Sequence, residues 1–372
     1  MAAGMRADVT IAGAGVFGAW TAWHLHHAGL RVRLVDAYGP ANSRASSGGE
    51  SRIIRMGYGA REHYTRWSIR SFPLWRELST LTGEEIFVPC GTLWLHLQHD
   101  SFAAQTLDAF AAHGVEHDVL GPHDLAQRFP QIANPPSVRA IYEPHAGALL
   151  ARRAVQALVR WLVANGVQYE QRHIASDELL DGVVVYACGP WLPRLFPHLL
   201  GTRIVPTRQE VMFFGVPAGI ADFGPEKMPC WVDAGSQYYG IPDLESRGFK
   251  IAHDVRGPAI NPDIEPRTVS AESVETVRAY LAERFPALAH APLVETRVCQ
   301  YENTSNGDYL LDRHPEKDNV WLAGGGSGHG FKHGPMVGKY LAGQILGSMP
   351  VDVRFTLRTK LDCTAGAASS SL

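Results

Sequence analysis

Short runs rich in apolar and β-branched residues, separated by a helical segment, open this chain, and a fully apolar run follows in its middle. The first two are residues 9–12 and 32–35, linked by a segment rich in alanine and tryptophan that ends at Gly29, and the third is residues 183–187. Apolar runs of this length are typical of parallel strands that are buried on both faces. The pattern therefore predicts a parallel α/β sheet that begins with strand, helix and strand.

A second pattern covers residues 203–255, where strand-like runs are separated by Pro, Gly and Asp turns. Such spacing predicts an antiparallel sheet and therefore a second domain of different architecture. Helical periodicity predicts further helices, and Pro73 marks an expected break in the first of them. These helices cover residues 62–81, 101–113, 151–164 and 273–284.

A glycine-rich turn joins the first strand to the first helix. Gly13, Gly15 and Gly18 have the spacing G-x-G-x-x-G. Gly13 allows a tight turn, Gly15 lets the backbone approach a pyrophosphate at the helix N-terminus, and Gly18 lets the helix pack on the strand. Asp36 ends the next strand, where it can accept hydrogen bonds from a ribose. This set predicts dinucleotide binding and favours NAD or FAD over NADP.

A second glycine-rich loop, residues 324–334, follows a strand near the C-terminus and leads into a helix at Pro335. Helix N-termini attract anions, so this loop is a second anion-binding site, and it is expected to return to the same sheet as the first. One cofactor bound by both ends of the chain indicates FAD. The predicted fold is α/β plus α+β, with a discontinuous Rossmann-like FAD-binding domain and a substrate domain built on an antiparallel sheet. The predicted boundaries are 1–84 with 140–202 and 300–360 for the first domain, and 85–139 with 203–299 for the second.

Composition and charge narrow the class of protein. The 372 residues predict about two domains, and the net charge of -3 provides no broad basic field for nucleic acid. The sequence contains no apolar run of about 20 residues, as a membrane span requires. Five scattered cysteines indicate neither a disulfide framework nor a metal site. We therefore expect a cytoplasmic protein with reduced thiols that is a monomer or a weak dimer.

Two arginines, Arg52 and Arg55, are separated by two isoleucines on a segment expected to be a short helix or irregular. Two interpretations of this pair are open. Surface ion pairing is the commoner role of arginine. Contact with a cofactor or an anionic substrate is the functional alternative.

Four stretches together resemble the monomeric sarcosine oxidase branch of the D-amino-acid-oxidase-like flavoproteins, which includes N-methyltryptophan, pipecolate and fructosyl amino acid oxidases. They are the N-terminal glycine motif, Ser-Arg-Ile-Ile-Arg at 51–55, Val-Cys-Gln-Tyr at 298–301 and Gly-Ser-Gly-His-Gly-Phe-Lys at 326–332. The resemblance covers nearly the whole chain. It implies an FAD-dependent amine oxidoreductase that oxidises the C–N bond of a secondary amino acid, N-methyl or cyclic, to an imine and reduces O2 to hydrogen peroxide.

The resemblance also implies roles for individual residues. Cys299 matches the cysteine joined through its sulfur to the 8α-methyl of FAD, although an unmodified core thiol is the alternative. Arg55 and Lys332 match the pair that grips the substrate carboxylate. Arg52 matches an arginine beside the flavin ring, and His329 a histidine near flavin and substrate.

Lys250 matches a lysine held near flavin N5, usually through water. A cation there stabilises the negative charge that develops as O2 is reduced; a solvated strand lysine is the alternative. Tyr239 matches a tyrosine of the substrate site. The predicted catalytic residues are Lys250, His329, Arg52 and Tyr239, the predicted substrate-binding residues are Arg55, Lys332 and Tyr239, and the predicted cofactor-binding residues are Gly13, Gly15, Val16, Phe17, Gly18, Asp36, Ser51, Arg52, Gly189, Cys299, Gly326, Gly328, His329, Gly330 and Lys332.

Two departures from the family pattern leave the preferred amine open. A histidine pair of the family is Ser47 and Gly48 here, and a histidine expected four residues after Lys250 is Asp254. Substrate size is expected to depend on Met212, Trp231 and Tyr239, whose relative placement the sequence does not give.

Three alternative functions remain at this point. The first is a flavin dehydrogenase, or a biosynthetic oxidase that forms an imine on a larger substrate derived from an amino acid. The second is an NAD-dependent dehydrogenase that uses only the first glycine motif. The third is a flavin-binding protein without catalysis.

Overall fold

A computed structural model gives the structure of residues 7–175, 178, 180 and 182–363. Its strands, in chain order, are β1 (Val9–Ala12), β2 (Val32–Asp36), β3 (Arg52–Ile54), β4 (Phe87–Val88), β5 (Thr92–Leu97), β6 (Asp118–Leu120), β7 (Val138–Glu143), β8 (Gly147–Leu149), β9 (Gln168–Gln171), β10 (Val183–Tyr186), β11 (Ile204–Phe214), β12 (Cys230–Asp233), β13 (Tyr238–Ile241), β14 (Phe249–His253), β15 (Leu293–Thr304), β16 (Leu310–Arg313) and β17 (Val320–Gly324). Its α-helices are α1 (Val16–His27), α2 (Glu62–Thr82), α3 (Ser101–His113), α4 (Pro122–Arg128), α5 (Ala151–Ala164), α6 (Leu192–Leu195), α7 (Pro197–Leu200), α8 (Ala271–Arg284) and α9 (Gly334–Ile345).

A six-stranded sheet in the order β16-β17-β10-β1-β2-β9 forms the centre of the first layer. Its pairs are parallel except for the edge pair β16–β17. The apolar runs of β1 and β10 are almost completely buried, as expected of a parallel sheet covered on both faces. The α/β part of the predicted fold is thus confirmed.

Helices α1 and α9 pack closely beside each other on this sheet. A Cβ atom at Gly338 of α9 would collide with the backbone of Trp20 in α1, so the glycine allows the close approach. The N-terminal and C-terminal glycine loops precede these two helices. The helix pair therefore brings the two glycine-rich loops together.

An eight-stranded sheet in the order β15-β11-β14-β13-β12-β5-β7-β6 forms the second layer. The predicted antiparallel sheet is confirmed, with one difference: β12 runs parallel to β5. One face packs on α8, where Trp231, Tyr280 and Phe285 form an aromatic core. On the opposite face, Trp94 and Ile141 pack against α3, whereas residues of β11, β13 and β14 line a cavity.

Two local predictions were wrong. The arginine segment was expected to be helical or irregular, but Arg52–Ile54 is strand β3 and pairs with β8 in a small three-stranded sheet. Helix α2 continues through Pro73 without a break, because Tyr64, Trp75 and Leu78 are buried in the core and their packing holds both halves of the helix.

Over the described ranges, none of the helices has both the length and the apolar character that crossing a bilayer requires.

Candidate active site

Two adjoining cavities lie where the six-stranded sheet meets the eight-stranded sheet. The first cavity follows the carboxyl ends of β1, β2 and β10, and the second lies against β11, β13 and β14. Arg52, Cys299 and Gly328 line both, so the two spaces meet at these residues. Predicted residues on the first wall are Gly13, Gly15, Val16, Phe17, Asp36, Gly189, Gly326 and Gly330, and those on the second are Arg55, Tyr239, Lys250, His329 and Lys332.

Two predicted cofactor residues do not line either of these cavities. Gly18 packs against the first turn, where a Cβ atom would collide with the carbonyl of Gly13. This contact is the helix packing that the motif predicts. Ser51 is buried, and its carbonyl group accepts hydrogen bonds from neighbouring cations.

The glycine turn has the predicted geometry. Gly13 has a φ of +105°, in the region that favours glycine, and a Cβ atom there would collide with the carbonyl of Ala187. A Cβ atom at Gly15 would meet Ser47 Oγ at 3.4 Å and otherwise stand in the first cavity. The backbone at Gly15 is therefore open to a ligand.

Asp36 holds the loops beside the first cavity. Its carboxylate accepts hydrogen bonds from the amides of Ala14 at 2.8 Å, Tyr38 at 2.9 Å and Gly39 at 2.8 Å. A carboxylate offers about four acceptor positions. Asp36 thus fixes the turn and retains capacity for one further donor.

Arg55 and Lys332, which are far apart in the sequence, lie against the same aromatic ring. Arg55 Cζ is 4.6 Å and Lys332 Nζ is 5.3 Å from the ring centroid of Tyr58, and Lys332 Nζ donates to the Tyr58 hydroxyl at 2.8 Å. Trp94 covers Arg55 at 4.5 Å. Burial and the nearby Arg55 charge hold the pKa of Lys332 well below its usual value. A bound anion would oppose this shift and favour the charged lysine, so the pair favours an anion in the second cavity.

Glu143 is a buried acid beside this pair. Its carboxylate accepts from the amides of Met56 at 2.7 Å and Gly57 at 3.3 Å, and so fixes the backbone that follows Arg55. Burial raises the pKa of Glu143, while the Met56 hydrogen bond and the Arg55 charge oppose that shift. The sequence feature that could have identified Glu143 is its position as an acid at the end of the largely apolar strand β7.

Lys250 is buried, so the alternative of a solvated strand lysine is wrong. Its Nζ donates to the carbonyl of Ser51 at 2.8 Å, and Arg52 Nη1 donates to the same oxygen at 2.8 Å. Burial and, second, the Arg52 charge lower the pKa of Lys250 to about 7. Two cations therefore flank one carbonyl on the wall of the second cavity.

Cys299 lies on β15 at the junction of the two cavities. Arg52 Nη2 is 3.8 Å from its sulfur, and Cys299 is paired with Gln209 of β11 in the ladder. The thiol is half-buried and belongs to no disulfide. It is therefore accessible to a group that extends from one cavity into the other.

His329 belongs to a hydrogen-bonded chain of buried side chains. Its Nε2 donates to the carbonyl of Gly307 at 2.9 Å, and burial holds its pKa well below the usual value. The neutral ring must then accept at Nδ1 from the Tyr309 hydroxyl at 2.9 Å. His333 Nδ1 therefore donates to the Tyr309 oxygen at 2.6 Å, and His333 Nε2 accepts from Ser68 at 2.9 Å. This chain fixes the tautomer of His329.

Replacing Tyr309 with Phe is expected to destabilise the fold by about 1–3 kcal/mol, because both histidines lose a buried partner. The matched control is Tyr340→Phe, which removes the acceptor of one bond from the Asp352 amide. Urea unfolding measures both free energies. Equal losses in the two variants would show that the chain through Tyr309 contributes nothing special.

Two of the three positions expected to set substrate size face away from the second cavity. Met212 and Trp231 are buried in the aromatic core under α8, whereas Tyr239 lines the cavity. The neighbours Val211, Phe213 and Val232 line it instead. Successive side chains of a strand point to opposite faces, so the expectation was displaced by one residue.

Residues 8–344 match the model of a family described as FAD dependent oxidoreductase. The chain belongs to this family.

Members with curated names match this FAD-dependent oxidoreductase over most of their length. Monomeric sarcosine oxidase of Bacillus sp. (strain B-0618) is 32% identical over 355 residues, which cover 90% of this chain and 91% of that protein. N-methyl-L-tryptophan oxidase of Salmonella newport (strain SL254) is 27% identical over 366 residues, which cover 93% and 96%. L-proline dehydrogenase from P. horikoshii has a similar fold, with a TM-score of 0.82 at 19% identity over 95% of this chain and 97% of that one.

The residues of the first cavity fit the FAD of this oxidoreductase family. The open backbone at Gly15 suits a pyrophosphate at the start of α1, and Asp36 suits a ribose. The junction at Arg52, Cys299 and Gly328 continues into the second cavity, where a flavin ring would meet the cations. The fit therefore rests on the open backbone at Gly15 and on the remaining acceptor capacity of Asp36.

Proposed function

We propose that this FAD-dependent oxidoreductase is an amine oxidase that acts on a secondary amino acid, such as an N-methyl or cyclic one. The observation that carries the proposal is the placement of Arg55 and Lys332 together, in a cavity that adjoins the dinucleotide cavity. The relatives named sarcosine oxidase and N-methyl-L-tryptophan oxidase support this choice. Bound FAD would supply the redox chemistry, which removes hydrogen from the carbon next to nitrogen and reduces O2 to hydrogen peroxide.

The two cations hold the substrate by its carboxylate. The guanidinium of Arg55 offers two parallel charge-assisted hydrogen bonds, and the ammonium of Lys332 adds a point charge. Stacking of Arg55 between Tyr58 and Trp94 restricts its rotation. This arrangement orients the amine end of the substrate toward the junction of the cavities.

The charges around the second cavity also select the neutral amine. Arg52, Arg55, Lys250 and Lys332 are among its lining residues, and a protonated substrate nitrogen would add a further positive charge. Like charges in a buried site disfavour the charged form. The neutral amine, whose lone pair is needed for imine formation, is therefore favoured.

We further propose that Lys250 and Arg52 stabilise the charge that develops as O2 is reduced. Their donors converge on one carbonyl beside the junction, so both cations lie close to the place where that charge would appear. His329, fixed by its hydrogen bonds, provides a rigid wall of the substrate site and accepts from Lys332 through its carbonyl at 3.2 Å. Tyr239 provides the facing aromatic wall.

The division into domains is also a proposal. We assign the FAD-binding domain to residues 1–84, 140–202 and 300–360, and the substrate domain to 85–139 and 203–299. The six-stranded sheet draws all its strands from the first set, which supports the assignment. Strands β7 and β15 cross the proposed boundaries, so these two strands connect the domains.

We propose that FAD is joined covalently to Cys299, because this thiol lies at the junction of the two cavities. Acid precipitation should then leave the yellow colour with the polypeptide, and Cys299→Ala should release it to the supernatant. Cys188→Ala is the matched control, because Cys188 also lines the first cavity. Flavin released from the unaltered protein would refute the covalent bond without affecting the proposed reaction.

The experiment that tests the reaction is a peroxide-coupled screen of secondary amino acids beside primary ones. We expect peroxide with sarcosine or a cyclic imino acid. Rapid mixing of the reduced protein with O2 separates an oxidase from a dehydrogenase, which would stay reduced. A colourless preparation, without absorbance near ~450 nm, would favour nicotinamide chemistry instead.

A further inference from the structure

Two cysteines outside the catalytic cavities lie in contact. Cys90 Sγ and Cys230 Sγ are 3.6 Å apart. Cys90 precedes β5 and Cys230 begins β12, and these two strands are parallel neighbours in the eight-stranded sheet. Both thiols are free and buried, and Cys90 retains 7% exposure.

The surroundings give this pair few other partners. The neighbouring side chains are apolar: Ala148, Leu150, Ile241 and Leu244. The Cys90 thiol also contacts the carbonyl of Gly91 at 3.7 Å. Buried cysteines usually act as small hydrophobic residues. Two sulfur atoms 3.6 Å apart can also become bonded after a short movement.

Ile241 of β13 packs in the cluster around Cys230 and pairs with Lys250 of β14, so one strand separates the cysteine from the lysine. The Lys250 charge counteracts the effect of burial, which raises the pKa of Cys230. Leu150 and Leu244 line a third cavity, and Lys250 lies on its wall. This cavity, which neither cysteine lines, extends from Lys250 to two of the leucines that pack around the pair.

We propose that Cys90 and Cys230 are a modification site that hydrogen peroxide converts to a disulfide bond. This proposal rests on the proposed function, which supplies the peroxide as its product. The enzyme would then be modified by its own reaction, at a position separated by one strand from the lysine that assists reduction of O2.

The chemistry balances with hydrogen peroxide as the sole oxidant. The Cys90 sulfur, as thiolate, attacks one peroxide oxygen, the O–O bond breaks, and the leaving hydroxide takes up a proton to give water. The resulting sulfenic acid is attacked by the Cys230 sulfur, the S–S bond forms, and the second oxygen leaves as water. Two thiols lose two electrons and two protons, and one peroxide becomes two waters.

Bond formation requires a small movement of the two sulfur atoms. A disulfide holds its sulfur atoms about 2.05 Å apart, so they must approach by about 1.5 Å. Side-chain rotation and movement of the starts of β5 and β12 are the two sources of this approach. Strand β13 pairs with β12 and with β14, so one strand separates Cys230 from the strand that carries Lys250.

The test uses the enzyme with FAD bound. Its thiols are first reduced, the reductant is removed, and hydrogen peroxide is added in the absence of amine. Denaturation, alkylation and digestion without reductant are followed by mass spectrometry of the peptides. We expect a cross-link between the peptides of Cys90 and Cys230 in most molecules, reversed by a thiol reductant. Cys90→Ser and Cys230→Ser must each abolish the cross-link. The half-buried thiol of Cys363 should remain free and be alkylated after denaturation.

A second arm generates peroxide by turnover of sarcosine, with and without catalase. The same cross-link should appear without catalase and be suppressed with it. A cross-link with added peroxide but none during turnover would count against the proposed oxidase reaction alone. Alkylated Cys90 and Cys230 after added peroxide would overturn the disulfide proposal, whatever the turnover arm gives.

Discussion

Replacing Arg55 with Ala is expected to lower kcat/KM for sarcosine by about 2–5 kcal/mol of transition-state binding, which is roughly 30- to 5,000-fold. Arg55 lies between Tyr58 and Trp94, and the variant leaves the substrate carboxylate with Lys332 alone. Most of the loss should appear in KM, because the carboxylate is held equally in the ground state and the transition state. Steady-state peroxide production measures it.

The control exchanges the substrate instead of the protein. Sarcosine amide lacks the carboxylate charge, so Arg55→Ala should change its turnover much less than that of sarcosine. Arg55→Lys keeps the charge but not the planar fork, and should fall between the two. A loss of the same size for acid and amide would mean that Arg55 does not bind the carboxylate.

Replacing Lys250 with Met is expected to slow the reaction of the reduced enzyme with O2 by about 10²–10³-fold, the usual cost of removing one electrostatic stabiliser. Reduction by the amine should change little, because the substrate carboxylate is held by other residues. Rapid mixing of the reduced protein with oxygenated buffer measures the first rate, and anaerobic mixing with the amine measures the second.

The rate of the reduced enzyme with O2 is also expected to depend on pH. The pKa of Lys250 is lowered to about 7, so the lysine is charged below that pH and neutral above it. The oxygen rate of the unaltered protein should therefore fall as pH rises through about 7, and that of Lys250→Met should lack this step.

Lys360→Met is the matched control. Lys360 is also a buried lysine, and its Nζ donates to the carbonyl of Arg354 at 2.6 Å, away from the cavity walls. Equal oxygen rates in Lys250→Met and the unaltered protein would exclude a role for Lys250 in oxygen reduction.

Local patterns predicted the parts of the fold that neighbouring residues control. The helix expected over residues 151–164 is α5 with the same bounds, because its apolar face repeats with the helical period. The first strand, turn and helix were also correct, since Gly13 and Gly18 are required by contacts within the unit itself. The break expected at Pro73 was wrong because packing of α2 in the core outweighs the local cost of a proline inside a helix. The sequence pattern shows only the proline and not that packing.

The residues of β11 and β12 that line the second cavity could not be predicted from local patterns. A strand pattern gives two faces, but both faces of β11 and β12 are apolar, one against α8 and one against the second cavity. Choosing between Trp231 and Val232 requires knowing which layer covers which face. That information lies in residues far along the chain, so the sequence alone could not supply it.

The sequence by itself determined that this chain has a dinucleotide-binding βαβ unit, an antiparallel second sheet and membership of a flavin family, because short-range spacing and local composition encode all three. Only the tertiary structure decided the composition of the site. It placed Lys332 beside Arg55 on the ring of Tyr58, buried Glu143 under them, and linked His329 to His333 through Tyr309. These contacts join residues that chain folding brings together over long separations, and each depends on burial, which no single stretch of sequence specifies.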